Sequence, residues 1–124
     1  MKHIFLKVVF TLIMFFSGGV VLATCYTDCS DFVSKAYTQA GCSNPGSTSD
    51  SILANGDSDK SNLRAGDLIV RSGHVVMCKD DGCGTVIHAA GRKKGIVDAN
   101  GSNYVDASDT KVVRASKFCN DCKK

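Results

Sequence analysis

The chain has 124 residues, with 15 Lys and Arg against 12 acids that are all Asp, seven Cys, one Pro and no Trp. That length accommodates one domain and excludes a multidomain arrangement. Without Lys2 and Lys7 of the N-terminal segment, thirteen basic side chains face twelve acidic ones, a net +1, so charge does not point to nucleic acid or an anionic membrane as a partner.

Residues 4–23 are almost wholly apolar, follow Lys2, and close on small residues with Val21 and Ala23 in the V-x-A pattern that signal peptidase accepts. The expectation is a secretory signal over 1–23 and a domain over 24–124, placed outside the cell or in a periplasm. A retained membrane anchor is the alternative. A lipid anchor on Cys25 fits less well, because Thr24 stands where a lipobox has Gly, Ala or Ser. The mature part holds only 22 Val, Leu, Ile, Met, Phe and Tyr side chains, a thin core for so small a domain. All seven cysteines lie in that part, and an oxidising compartment makes disulfides the natural supplement. Seven is odd, so one thiol is left over.

Residues 28–41 read as an amphipathic helix, with Phe32, Val33, Ala36, Tyr37 and Ala40 on one stripe. Asp28 suits the N-cap, Asp31 the first turn and Gly41 the C-terminal cap. Residues 43–62 are rich in Ser, Asn, Asp and Gly and read as a loop, with one or two helical turns over Ser49–Asn55. Short Val- and Ile-rich runs follow at Asp67–Arg71, His74–Lys79, Thr85–Ala90, Gly95–Asp98, Asn103–Ala107 and Lys111–Ser116. Their close spacing and the turn residues between them predict an antiparallel sheet. One helix ahead of a small antiparallel sheet is an α+β fold.

Cys29 falls at the start of the helix, where unpaired backbone N–H groups and the dipole favour a negatively charged sulfur. The bland alternative is half of a disulfide. A thiol nucleophile needs a base, and the mature part offers His74 and His88, both in predicted strands. Placing them directly opposite each other leaves Cys78 opposite Gly84. Placing Cys78 opposite Cys83 throws the histidines onto opposite faces of the sheet. A regular hairpin cannot satisfy both, so a bulge, a diagonal bridge or other cysteine pairings are required.

Four segments together resemble the NlpC-type family of cell-wall cysteine peptidases in the papain-like clan. They are Asp28-Cys29-Ser30-Asp31-Phe32-Val33 for its D-C-S-G-F-V motif, Ala65-Gly66-Asp67-Leu68 for P-G-D-L, His74-Val75-Val76-Met77 for H-V-G-I, and Ile87-His88-Ala89 for I-H-A. The departures are Asp31 for Gly, which sets a negative charge near the thiol, Ala65 for Pro and Val76 for Gly. The resemblance implies a papain-like minimal domain with Cys29 as nucleophile, His74 as general base and His88 as the group that orients it. It also implies amide bonds of peptidoglycan stem peptides as substrate. In style the chain is similar to amidase effectors of bacterial type VI secretion and to domesticated amidase effectors. A signal and up to three disulfides suit the secreted, antibacterial kind.

No cofactor or metal is expected, and the domain is expected to be monomeric. Cys119 and Cys122 form a C-x-x-C that is expected to tie the tail to the N-terminal region or to Cys42; a zinc site would need Cys25 and Cys29 as partners. Arg92-Lys93-Lys94 reads as a solvated turn, or as a patch steering anionic substrate. Asp80-Asp81-Gly82 reads as a hairpin turn rather than a calcium loop. The competing class is a non-catalytic, disulfide-stapled binding or inhibitor module.

Overall fold

The computed structural model describes residues 29–89 and 95–119. The expected signal, Cys25, the Asp28 cap, Arg92-Lys93-Lys94 and Cys122 lie outside the described residues.

Helix α1 (Cys29–Gln39) follows the predicted stripe: Phe32, Val33, Ala36 and Tyr37 are fully buried. It stops at Gly41, whose φ of +86° lets the Cys42 N–H reach the Tyr37 carbonyl and the Gly41 N–H reach that of Thr38. That pair of bonds satisfies carbonyls the helix end would otherwise leave open. Helix α2 (Ser49–Leu53) starts from a capping box, in which Thr48 and Ser51 each accept the other's backbone N–H.

The sheet contains β1 (Leu68–Arg71), β2 (His74–Cys78), β3 (Thr85–Ala89), β4 (Ile96–Asn100) and β5 (Lys111–Val113), in the order β4-β3-β2-β1-β5. Every pairing is antiparallel. With α1 packed on it this is the expected α+β architecture, but the sheet is covered on both sides. Leu68, Val70, Val75, Met77, Ile87 and Val113 face α1, while Ile69, Val76, Cys78, Val86 and Val112 face a second cluster with Leu63 and Cys83. Burial on both faces explains why β1 and β2 read as unbroken apolar runs instead of alternating.

Three sequence expectations are corrected by the fold. Asn103–Ala107 is not a strand: residues Ser102–Val105 form a short helix, α3. Because β4 and β5 occupy opposite edges, the segment joining them crosses the sheet, and its Tyr104 and Val105 pack into the second cluster on the face away from α1. The last strand also ends at Val113, three residues early, since the Ala115 N–H turns to Asp67 and a 3₁₀ turn follows.

The register between β2 and β3 is the third correction. Met77 pairs with Ile87 and Cys78 with Val86, so neither of the predicted alignments is the real one. The offset from a direct His74–His88 pairing is two residues, which preserves the face. The histidines are therefore diagonal neighbours on one side of the sheet. Cys83 still bridges Cys78, because it lies outside the strand with its backbone in the left-handed region (φ +59°). The conflict dissolves once the hairpin loop is lengthened to residues 79–84. The second bridge joins Cys42 to Cys119, as the tail expectation allowed.

Asp67 ties the sheet to its surroundings. Its buried carboxylate accepts from the backbone N–H of Arg64 and Ala115, each at 2.9 Å, and lies 3.5 Å from the Arg114 guanidinium. Burial pushes this carboxyl above its usual value, opposed by those hydrogen bonds and by Arg114. Burial, then the neighbouring Asp67 charge, pushes the Tyr37 phenol well above its own usual value while it donates to the Gly66 carbonyl. Asp67→Asn turns an NH₂ toward donors, and urea unfolding is expected to show a loss of about 2 kcal/mol or more. The closed loops differ in length, with sequence separations of 77 and 5. Chain entropy then gives about 4.5 kcal/mol for Cys42–Cys119 and about 2 for Cys78–Cys83. Replacing Cys42 and Cys119 by Ser is expected to lower the unfolding midpoint further than replacing Cys78 and Cys83.

Candidate active site

Cys29 is the one free cysteine among the described residues, and it is only 7% exposed. Its Sγ accepts a hydrogen bond from the Val75 N–H at 3.3 Å. The peptide carrying that N–H joins Val75 to His74, so the sulfur is fixed one peptide from the first residue of β2.

Strand geometry explains why this N–H is open to a sulfur. The Cys78 N–H points to Asp67 on the β1 side. Alternation along the strand then aims the Val75 N–H toward β3. Yet β2 and β3 pair only at Met77↔Ile87 and Cys78↔Val86, whereas β3 remains paired with β4 as far as Ala89↔Ile96. Beyond Met77 the two strands part, and the start of α1 inserts Cys29 where a β3 carbonyl would otherwise accept.

His74 and His88 belong to the two parting strands and, by alternation, share the sheet face of Val76 and Val86 with Tyr104. Their ring centroids are 5.1 Å apart and the rings perpendicular, an edge-to-face contact rather than a hydrogen bond. Both are partly buried, and His88 Nδ1 is fully buried with no hydrogen-bond partner among the described residues. Burial lowers the proton affinity of His74, and the nearby His88 and Arg71 lower it further; burial alone lowers that of His88. A neutral imidazole, the form that accepts a proton, therefore persists to lower pH here than in a free histidine. Asp31, two residues on in the first turn of α1, lies 3.5 Å from Lys35, which offsets part of its negative field.

Two side chains of this region carried no sequence signal. Tyr104 lies 6.0 Å, centroid to centroid, from each imidazole. Arg71, the last residue of β1, holds its guanidinium 5.9 Å from the Tyr104 ring centre and 3.8 Å from Asp109. The crossing of the sheet by the β4–β5 connection brings Tyr104 here, and no local pattern encodes that. Among the described residues no cluster of three or more His, Cys or Asp is placed to hold a metal. No helix among them is long and apolar enough to cross a membrane.

The lowered histidines have a thermodynamic consequence. As pH falls below about 6.5 the unfolded chain protonates first, so it holds more protons and gains on the folded state. Stability is expected to be full near pH 7 and to fall until the folded imidazoles protonate as well. Thermal midpoints across this range should show that slope, reduced in His88→Ala.

The arrangement is a buried thiol at a helix start, set at the parting of two strands, each of which carries one of two imidazoles that touch each other. The sequence model of the NlpC/P60 family matches residues 15–114, which takes in Cys29, His74, His88 and all five strands. A search among curated proteins finds no match. The match spans well over half of the chain and agrees with the helix, the sheet and the placement of Cys29: the chain belongs to the NlpC/P60 family.

Proposed function

We propose that this protein is a secreted cysteine amidase that hydrolyses amide bonds in peptidoglycan stem peptides, acting as a bacteriolytic enzyme. Family membership supports the coarser statement, a cysteine peptidase that cleaves peptidoglycan. One observation carries the finer reading: Cys29 alone among the described cysteines is unbridged, and its sulfur is held against the peptide of His74. The alternative, a stapled non-catalytic module, gives no reason for a thiol left open at that point.

In the proposed reaction His74 accepts the thiol proton and the Cys29 thiolate attacks the carbonyl carbon. The oxyanion that forms is held by backbone N–H groups at the start of α1, including that of Cys29. Collapse breaks the C–N bond, and the His74 imidazolium gives its proton to the leaving amine. Water then attacks the thioester while His74 takes its proton, releasing the acid and restoring the thiol. His88 holds the His74 ring through the edge-to-face contact. The proposed setting is extracellular or periplasmic, after removal of residues 1–23. The two disulfides of the described residues suit that setting.

Mass spectrometry of stem peptides from purified sacculi tests this. The wild type is expected to release cleaved peptides, and Cys29→Ala to lose at least about 10⁴-fold in kcat/KM. His74→Ala should lose about 10²–10⁴-fold. Stem peptides left intact by the folded wild-type protein would falsify the proposal and favour the non-catalytic module.

A further inference from the structure

The short helix α3 is anchored more firmly than its own burial explains. None of its four residues is fully buried. Even so, its start is fixed by the Asn100 side chain, which accepts from the Ser102 N–H and hydroxyl at 3.0 and 2.9 Å. The Gly101 N–H donates to the Gly84 carbonyl at 2.9 Å, and a Cβ at Gly101 would collide with the Cys83 carbonyl. The disulfide-closed hairpin loop thus serves as the seat of α3.

The far end is fixed by a lysine from a distant loop. Lys60 Nζ donates to the carbonyls of Val105 and Ala107 and to the Thr110 hydroxyl, at 3.0, 2.6 and 2.7 Å. Three donors meet three acceptors, so the ammonium is fully used. The Thr110 hydroxyl in turn donates to the Tyr104 carbonyl at 2.8 Å. What this anchoring fixes is the Tyr104 ring, 6.0 Å from both His74 and His88 and covered by Arg71 at 5.9 Å.

We propose that Tyr104 is a positioning residue for the imidazole pair: its ring is a wall that holds His74 and His88 against each other and keeps water from their outer side. This rests on the hydrolase reading and adds to it a residue outside the four sequence motifs. Tyr104 acts through His74 and not on the scissile bond. The charged and titratable groups around the pair are Arg71 from β1, with Asp109 as its ion-pair partner, and the phenol of Tyr104, while the Cys29 thiol lies at the Val75 N–H, one peptide from His74.

The test uses the full chain as wild type, Tyr104→Phe, Tyr104→Ala and Tyr104→Leu, with the His74 and His88 protonation midpoints read by NMR without substrate. Phenylalanine keeps the wall, so its midpoints should stay within about 0.2 of wild type. Alanine lets water in, and both midpoints should rise toward about 6.5. In sacculus cleavage alanine should lower kcat about tenfold or more with KM changed less than about threefold, and phenylalanine should restore kcat. Should alanine fail to fold, leucine fills the space without a flat ring and is expected to shift the midpoints in the same direction. Unchanged midpoints in a folded Ala or Leu variant overturn the proposal, as does a loss in Phe equal to that in Ala. The midpoints are read without turnover, so an inert wild-type protein would overturn the hydrolase reading separately.

Discussion

The hydrogen bond from the Val75 N–H to Cys29 Sγ marks the point on which the site depends, yet it cannot be what creates that point. Sulfur is a weak acceptor, and one such bond contributes at most about 1 kcal/mol. Packing of α1 is far larger. Phe32, Val33 and Tyr37 are fully buried, and a buried side chain of that size is worth about 1.5–3 kcal/mol. The apolar stripe fixes the helix against the sheet, and the helix delivers its first residue to the place where β2 and β3 separate. The N–H there would lack a partner without the sulfur. Constraint runs from the core to the thiol.

A second constraint is topological. Five strands ordered β4-β3-β2-β1-β5 require the chain to traverse the sheet between its last two strands. That traverse covers the face opposite α1, so a small domain with few large apolar side chains buries both sides of its sheet. The disulfides act at the ends of this plan. One ties the end of α1 to the turn after β5, and the other closes the loop on which α3 rests. Asp67 plays the polar counterpart, satisfying two backbone donors where β1 begins and β5 ends.

Electrostatics then follows from burial. The imidazoles lose water to the sheet, to each other and to Tyr104, and with it part of their affinity for a proton. Arg71 pushes His74 the same way. An imidazole that stays neutral can accept a proton, and for this pair protonation opposes folding.

Much of this was legible in the sequence. The stripe of Phe32, Val33, Ala36 and Tyr37 gave α1 and its Gly41 stop, and the Val-rich runs gave all five strands, because local periodicity reflects which face is buried. An odd cysteine at a helix start and two histidines in neighbouring runs already named the residues from which the proposed site is built. Other features depended on partners far along the chain. Tyr104 and its neighbours are Val- and Tyr-containing and look like a strand, but they coil into a helical turn whose end is held by Lys60, 45 residues before Val105, through the carbonyls of Val105 and Ala107. The β2–β3 register turned on the length of a loop held by Cys83 in a left-handed conformation, which two-residue alternation alone does not specify. Short-range pattern determined what each segment is; only the packed chain decided which residues meet, since those contacts are settled by burial and hydrogen bonds between segments that the sequence keeps apart.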